Sequence, residues 1–297
     1  MPTFAHTPYD GSKKPFSIGL SPIPEERWLE PDERLLVELA EKDALLAEKR
    51  DVVFRAEPDT EASQREVLDA ILAHLLARHP DRYRWDRDHI LVDGSRSVPL
   101  SAAEPALATA ARLVQDDLVL MRPGGAAGYR LVAAALCFPS AWSLAEKFGA
   151  SLDGLHGNVP GYAEHLGVRM KRIFEGLKPG IIVERLNWSI YPDAELHHPE
   201  SKERPRDWFG MDRSAFIRVE RQTLRRMPAS GDILFTIRVL VDPFGAFETH
   251  PDGRRLAAGL RAQLLALDPD QLRYKNLQDH RDLVAAELAR IAGLSGP

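Results

Sequence analysis

Hydrophobic residues recur at helical spacing through the first third of the chain. Apolar stripes predict a helix that begins near Asp32 and a second helix over 60–78, which Pro80 ends. Residues 84–100 carry a turn at 92–95 and form a candidate hairpin, and a third helix is expected over 103–114. The proline-dotted residues 1–30 predict an extended segment that leads into these helices.

Strand-like apolar runs replace this pattern after residue 114. Strands are expected over 117–122 and 129–138, joined by a Pro- and Gly-rich connection that is typical of a hairpin. A helix over 139–148, with Ser140 as its expected N-cap, and a helix over 162–177 follow. Three more strands are expected over 181–191, 214–227 and 232–241, with a polar excursion at 192–212. Helices over 247–265 and 277–291 close the chain.

This order predicts an α+β fold with a five-stranded antiparallel sheet and helices inserted after its second strand. That is the plan of a PAS domain, although lipocalin-like and other α+β meanders fit the same periodicity. We expect an N-terminal segment with packing helices (1–114), a PAS-like core (115–243) and C-terminal helices (244–297).

Composition narrows the class of protein. The chain has 297 residues, 44% of them hydrophobic, which suits a globular protein with a sizeable core. No apolar run approaches the ~20 residues of a membrane span, and the polar N-terminus favours a cytoplasmic location. The net charge of −5, with acids and bases interleaved, lacks the basic face of a nucleic-acid binder. Cys137 is the single cysteine, so an intrachain disulfide or a four-cysteine iron–sulfur cluster is excluded, and we expect a buried small residue there.

His156 is the most informative candidate, because it lies in a Gly- and Pro-punctuated linker (153–161) between two predicted helices. The ordinary interpretation is a loop histidine that caps a helix or binds a carbonyl. The functional interpretation is a neutral imidazole that ligates iron, with Gly154 and Gly157 allowing a macrocycle to approach the backbone. Because no Cys-x-x-Cys-His sequence occurs, any haem would be bound non-covalently. The adjacent His197 and His198 are expected on a surface loop, and no metal-binding or nucleotide-binding motif occurs.

The strand around 216–226 is unusually charged. Alternation places Arg221 with apolar residues on one face, and Arg218 and Glu220 on the other. One interpretation is a solvated face with cross-strand ion pairs, for example Arg218 or Glu220 with Arg238. The other is that Arg221 points into a pocket, where a buried guanidinium needs an anionic partner such as a haem propionate or a carboxylate.

The same two interpretations apply to Arg185 and Asn187, which alternate with apolar residues in the strand over 181–191.

Several sequence blocks run in order along nearly the whole chain and together carry a resemblance. They are PFSIGL (15–20), WSLAEKFG (142–149), LHGNVPGY (155–162), ERLNWSI (184–190), RVERQTL (218–224), FTIR (235–238) and YK (274–275). In this order they resemble the α subunit of haem-dependent oxidative N-demethylase. The resemblance implies a PAS-fold subunit that binds haem b in an O2- and NADPH-dependent monooxygenase. That enzyme would oxidise a small methylated amine, with dimethylamine the best-known substrate, to formaldehyde and the demethylated amine.

The resemblance also implies roles for particular residues. His156 would be the proximal iron ligand, by match to an Ile-His-x-x-Val-Pro type motif in which this chain has Leu155 before the histidine. Glu195 and Arg221 would be the catalytic polar groups. Glu195 would hold the substrate ammonium, and Arg221 would stabilise the negative charge that oxygen gains on reduction.

Further candidates for contact with the cofactor are Arg185, Asn187 and Arg238. The resemblance implies that FMN, a 2Fe–2S cluster, NADPH and tetrahydrofolate lie on reductase and folate-binding partner subunits, and the chain itself shows no flavin, nucleotide or iron–sulfur motif. Two alternatives stay open: a haem-binding PAS gas or redox sensor without catalysis, and an assembly subunit that has lost haem. A sensor usually carries an output module such as a kinase or a cyclase, whereas both ends of this sequence are expected to be helices, which argues against the sensor. The presence of His156 argues against the assembly subunit.

Overall fold

The computed structural model describes residues 4–12, 16, 18–125, 128–157, 159–162, 167–200 and 215–294. The strands in these residues are β1 (Ser21–Ile23), β2 (Phe54–Ala56), β3 (Tyr83–Asp86), β4 (His89–Val92), β5 (Arg96–Pro99), β6 (Asp117–Pro123), β7 (Tyr129–Ala135), β8 (Ile182–Tyr191), β9 (Phe216–Arg226) and β10 (Ile233–Pro243). The helices are α1 (Leu35–Glu48), α2 (Arg50–Val53), α3 (Glu61–Arg78), α4 (Ala106–Ala111), α5 (Leu144–Lys147), α6 (Leu152–His156), α7 (Gly167–Gly176), α8 (Ala246–Thr249), α9 (Gly253–Leu265), α10 (Pro269–Tyr274) and α11 (Arg281–Ala292).

A seven-stranded antiparallel sheet organises the chain, in the order β1-β8-β9-β10-β6-β7-β2. The expected α+β class is therefore confirmed. The five expected strands lie side by side in this sheet, and the N-terminal segment adds β1 and β2 at its two edges. The expected hairpin over 84–100 is a separate three-stranded sheet, β3-β4-β5.

The two faces of the large sheet pack against different parts of the chain. Face A, the face that carries Val219 and Arg221, packs against the N-terminal helices and against α9 and α11. Face B, which carries Leu224 and Val239, packs against α5, α6 and α7. Successive side chains of a strand point to opposite faces, so neighbouring residues in one strand lie on different sides of the sheet.

Two differences from the expected elements have a local cause. β7 ends at Ala135 because the Asp117 carboxylate accepts the backbone N–H groups of Cys137 and Phe138, each at 2.8 Å, and draws the chain out of the ladder. Ser140 is not an N-cap, since helix α5 begins only at Leu144. The Ser140 hydroxyl instead accepts a hydrogen bond from Nε of Arg218 at 2.9 Å.

The C-terminal region contains more breaks than the apolar pattern indicates. The helix expected over 247–265 is two helices, α8 and α9, separated by a segment that includes Pro251. Helix α10 was not expected, although Asp268 and Gln271 form a capping box around it and Pro269 is its first residue.

Some expected elements reach beyond the described residues. Residues 163–166 of the helix expected over 162–177, the strand start at 214 and residues 201–212 of the polar excursion lie outside them. Across the described ranges, no helix is both long and apolar enough to cross a membrane.

Candidate functional site

His156 is the last residue of α6, a short helix over face B, and not a linker residue. Ser151 caps the start of this helix by accepting the N–H of Gly154. Nδ1 of His156 lies 2.9 Å from the carbonyl oxygen of Leu152. Because a carbonyl can only accept, Nδ1 carries the proton of the neutral ring, and Nε2 keeps its lone pair. A metal-binding histidine in proteins is held in this way.

An aromatic ring packs against one face of the His156 imidazole. Tyr162 stacks on it with centroids 5.0 Å apart and an interplanar angle of 11°. The Tyr162 hydroxyl lies 3.4 Å from the Asp153 carboxylate, and Asp153 forms an ion pair with Lys171 at 2.9 Å. The sequence offers no periodic signal that would pair Tyr162 with His156. Tyr162 is singled out only as a member of the sequence block over 155–162.

The surroundings of His156 favour its neutral form. Burial lowers the pKa of the imidazole. The hydrogen bond to Leu152 opposes this effect, whereas the positive charges of Arg185 and Lys147 add to it. Near neutral pH the ring is therefore a neutral donor of the kind that a metal ion requires.

Arg185 projects from β8 on face B, close enough to His156 for its charge to act on the imidazole. Among the described residues, its buried Nε has no hydrogen-bond partner and its guanidinium forms no ion pair. Burial lowers its pKa, opposed by the negative charge of Glu220 and by Tyr274. A buried guanidinium without a partner is costly, so this arrangement indicates a place for an anion.

A short polar strip surrounds Arg185 on face B. Arg185 lies opposite Gln222 in the register of β8 and β9, and Asn187 lies opposite Glu220. The Glu220 carboxylate accepts a hydrogen bond from Nε2 of Gln222 at 2.7 Å. Oδ1 of Asn187 accepts a longer one, at 3.4 Å, from Nζ of Lys275.

The apolar part of face B adjoins this strip. It consists of buried or half-buried side chains from β8, β9 and β10, among them Val183, Leu224, Phe235, Ile237 and Val239. Of the expected site residues, Arg185 lies close enough to His156 to act on its charge, and Asn187 lies on the same face two residues along β8.

Arg221 does not belong to this group, because it lies on face A. Its side chain is 1% exposed, and its Nε donates to the Glu184 carboxylate at 2.5 Å. Its other two nitrogens donate to the backbone carbonyls of Trp28 and Arg27. Arg221 is buried and paired with an anion, but the anion is a carboxylate of the chain itself.

Arg238 also lies on face A, directly opposite Arg221 in the register of β9 and β10. It forms ion pairs with Asp32 at 2.7 Å and Glu38 at 2.5 Å. The expected ion pair of Arg238 with Arg218 or Glu220 is wrong, because those two side chains are on face B. The structure thus does not bring Arg238 to His156.

Glu195 is exposed and follows the end of β8. Its backbone is held in place by Arg218, which donates to the carbonyl oxygens of Glu195 at 2.9 Å and Leu196 at 2.8 Å. Burial and the charge of Glu38 raise the pKa of Glu41, and the negative charge of Glu195 adds to that rise. The Glu195 carboxylate therefore lies near α1, and no contact joins it to His156.

Other candidates from the sequence have structural partners. Cys137 is fully buried, and burial raises its pKa to about 12. His197 and His198 are half-buried and form hydrogen bonds to the Cys137 carbonyl and to Asp193. Within the described part of the chain, no group of three or more His, Cys, Asp or Glu side chains could hold a metal ion.

The two glycines beside His156 are fitted closely to their own helix. A Cβ atom at Gly154 would lie 3.3 Å from Cβ of Ala150, and one at Gly157 would lie 3.3 Å from the Asp153 carbonyl oxygen. Local packing therefore accounts for both glycines.

The fold and this site together define an α+β protein with a neutral imidazole on one side of an antiparallel sheet, beside an arginine that has no ion-pair partner among the described residues. The model of one family, the haem-dependent oxidative N-demethylase, alpha subunit-like proteins, matches residues 19–285. The match covers most of the chain, so the chain belongs to this family. The suspected resemblance is thereby confirmed, and the family's description indicates a haem-dependent oxidative enzyme with more than one subunit.

Proposed function

We propose that this chain is the haem-binding catalytic subunit of an oxidative N-demethylase and that His156 would hold the iron. The observation that carries the proposal is the hydrogen bond from Nδ1 of His156 to the Leu152 carbonyl, which directs the Nε2 lone pair away from the helix. Such a bond fixes the tautomer and the ring orientation of a ligating histidine and raises its basicity.

The residues near His156 fit a haem group. Haem combines a large apolar ring with two carboxylates at one edge, and it needs an apolar surface and a cation. Face B offers the apolar residues described above, and the unpartnered Nε of Arg185 offers the cation. We propose that Arg185 binds a propionate and that Asn187 assists as a neutral hydrogen-bonding neighbour.

Bound haem would supply the activation of O2. The overall reaction would convert dimethylamine, O2, NADPH and one proton into methylamine, formaldehyde, water and NADP+. The chain's own part would be to hold the iron through His156, to neutralise a propionate through Arg185 and to exclude bulk water with the apolar side chains of face B.

We propose that the electrons arrive from partner subunits that carry NADPH, FMN and a 2Fe–2S cluster, and that a folate-binding subunit receives the formaldehyde. The alpha-subunit-like description of the family supports a multi-subunit enzyme. A cytoplasmic location and the PAS-like description of residues 115–243 are part of the same proposal. The PAS-like description is supported by the strand order β8-β9-β10-β6-β7, with α5–α7 inserted between β7 and β8.

The proposed site leaves out Arg221 and Arg238, because both have their anionic partners on the opposite face of the sheet. We propose that they hold the N-terminal segment to the sheet. Glu195 stays a prediction, which the variant comparison below tests.

The test is the absorption spectrum of the haem-supplied chain with and without dimethylammonium chloride. We expect a Soret band that shifts on addition of the amine, because the substrate would bind beside the iron. A Soret band that is indifferent to amines would favour the sensor alternative, and the absence of a Soret band would refute the proposal.

The variant Arg185→Met extends this test to the propionate contact. Losing a charge-assisted hydrogen bond, worth about 1.5–3 kcal/mol, should weaken haem affinity by about tenfold or more. The matched control is Arg172→Met, which removes an exposed arginine on α7 and should leave haem affinity unchanged. Equal haem affinity in the two variants would remove Arg185 from the site.

A further inference from the structure

We propose that Glu220 is the carboxylate that binds the ammonium group of the amine substrate. This inference rests on the proposed function and adds a specificity-determining residue to it. A secondary amine is protonated near neutral pH, so a pocket that selects it needs an anionic group beside apolar surface.

The position of Glu220 meets the geometric requirement. In β9 it lies opposite Asn187 of β8 and opposite Val239 of β10, so its side chain is on face B, the face that packs against α6. The side chain is half-buried, which keeps it accessible to a small ligand.

The hydrogen bonding of Glu220 leaves one acceptor open. Nε2 of Gln222 donates to Oε2 at 2.7 Å and orients the carboxylate. Among the described residues, Oε1 accepts no hydrogen bond. A carboxylate oxygen can accept from the N–H groups of a secondary ammonium ion in a charge-assisted hydrogen bond.

The charges around Glu220 support the same conclusion. Arg185 is a nearby cation, but its guanidinium forms no ion pair with Glu220, although the two charges influence each other. If Arg185 binds a propionate, Glu220 is a half-buried anion that forms no ion pair with any described residue. An ammonium ligand would restore the balance of charge, since buried charges in proteins are paired.

The neighbours of Glu220 also suit the methyl groups of the substrate. On β10, Val239 lies opposite Glu220 and Ile237 lies opposite Gln222, and these apolar side chains are 1% and 6% exposed. The oriented carboxylate beside them matches an ion that has two N–H donors and two methyl groups. Glu195 is exposed, and an exposed ion pair is typically weak because water screens it.

The experiment is isothermal titration calorimetry of dimethylammonium chloride into the haem-loaded chain, for the wild type and three variants. Glu220→Gln removes the proposed partner, and Glu195→Gln removes the carboxylate expected from the family resemblance. Glu175→Gln is the matched control, because it removes the same charge from an exposed position on α7. Haem content is measured for each protein from its Soret absorbance.

We expect Glu220→Gln to keep its haem and to bind dimethylammonium at least tenfold more weakly, with the other two variants within twofold of the wild type. Weaker binding in Glu195→Gln with an unchanged Glu220→Gln would overturn the inference. Loss of haem in Glu220→Gln would also overturn it, since Glu220 would then support Arg185 instead. A wild-type chain that holds haem but binds no amine would overturn the proposed function and this inference together.

Discussion

Replacing Arg221 should destabilise the fold without removing haem from the folded protein. Arg221→Met takes the closer of two cations from the Glu184 carboxylate, whose side chain is 12% exposed, and leaves it only Arg27 at 3.7 Å. It also leaves the carbonyls of Arg27 and Trp28 without their donors. Breaking a buried ion pair by removing one partner costs about 3–5 kcal/mol, and we expect a loss in this range. Methionine fills most of the arginine volume, so little of the loss would come from a cavity.

The assay is equilibrium unfolding in urea, followed by tryptophan fluorescence. The buried Trp28 lies at the contact and reports on it directly. The double variant Arg221→Met/Glu184→Gln should recover part of the lost stability, because it removes the buried charge that has lost its closer partner. The reasoning would be refuted if Arg221→Met lay within about 1 kcal/mol of the wild type in unfolding free energy while amine turnover fell by about 10² or more. Arg221 would then act in catalysis.

Two further predictions concern groups whose pKa the fold shifts. Burial alone would raise the pKa of Glu30, but His6, Arg221 and Arg27 lower it to about 2, whereas an unfolded glutamate titrates near about 4.3. The ionised Glu30 should therefore stabilise the fold fully above about pH 4.3, and this contribution should disappear as the pH falls towards 2. Between about pH 6 and about pH 3, the unfolding free energy of Glu30→Gln in urea should fall less than that of the wild type. An equal loss in both proteins would contradict this. Cys137 should react with a thiol reagent only after unfolding, because it is fully buried and its pKa is raised to about 12, and rapid labelling of the native chain would count against the buried position.

The long strands of the large sheet could be predicted because each is long enough for its apolar residues to recur at strand spacing. β8, β9 and β10 are 10 or 11 residues long, and the apolar runs mark them clearly. β1 and β2 have three residues each, too few to show any period, and they form only because the edges of the sheet offer backbone partners. The capping box at Asp268 was a readable signal for α10 that the apolar pattern alone overlooks.

The candidate site was predictable in its residue types but only partly in its arrangement. Alternation correctly separated Arg221 from Glu220, yet it could not tell which face of the sheet meets α6. That choice depends on helices that are distant in sequence, and the partners of Arg221 include carbonyls more than 190 residues away. For His156 the family motif indicated the residue, whereas its hydrogen bond to Leu152 depends on a helix too short to be recognised from periodicity.

The most direct test of the central claim is the haem affinity of His156→Gly, with and without added imidazole. If Nε2 of His156 ligates the iron, the variant should lose its stable Soret band while remaining folded, and free imidazole should restore the band by filling the vacated position. His89→Gly, at a partly exposed position of strand β4 in the small sheet, is the matched control and should bind haem like the wild type. Haem affinity in His156→Gly equal to that of the wild type, with no response to imidazole, would contradict the assignment of His156 as the residue that holds the iron.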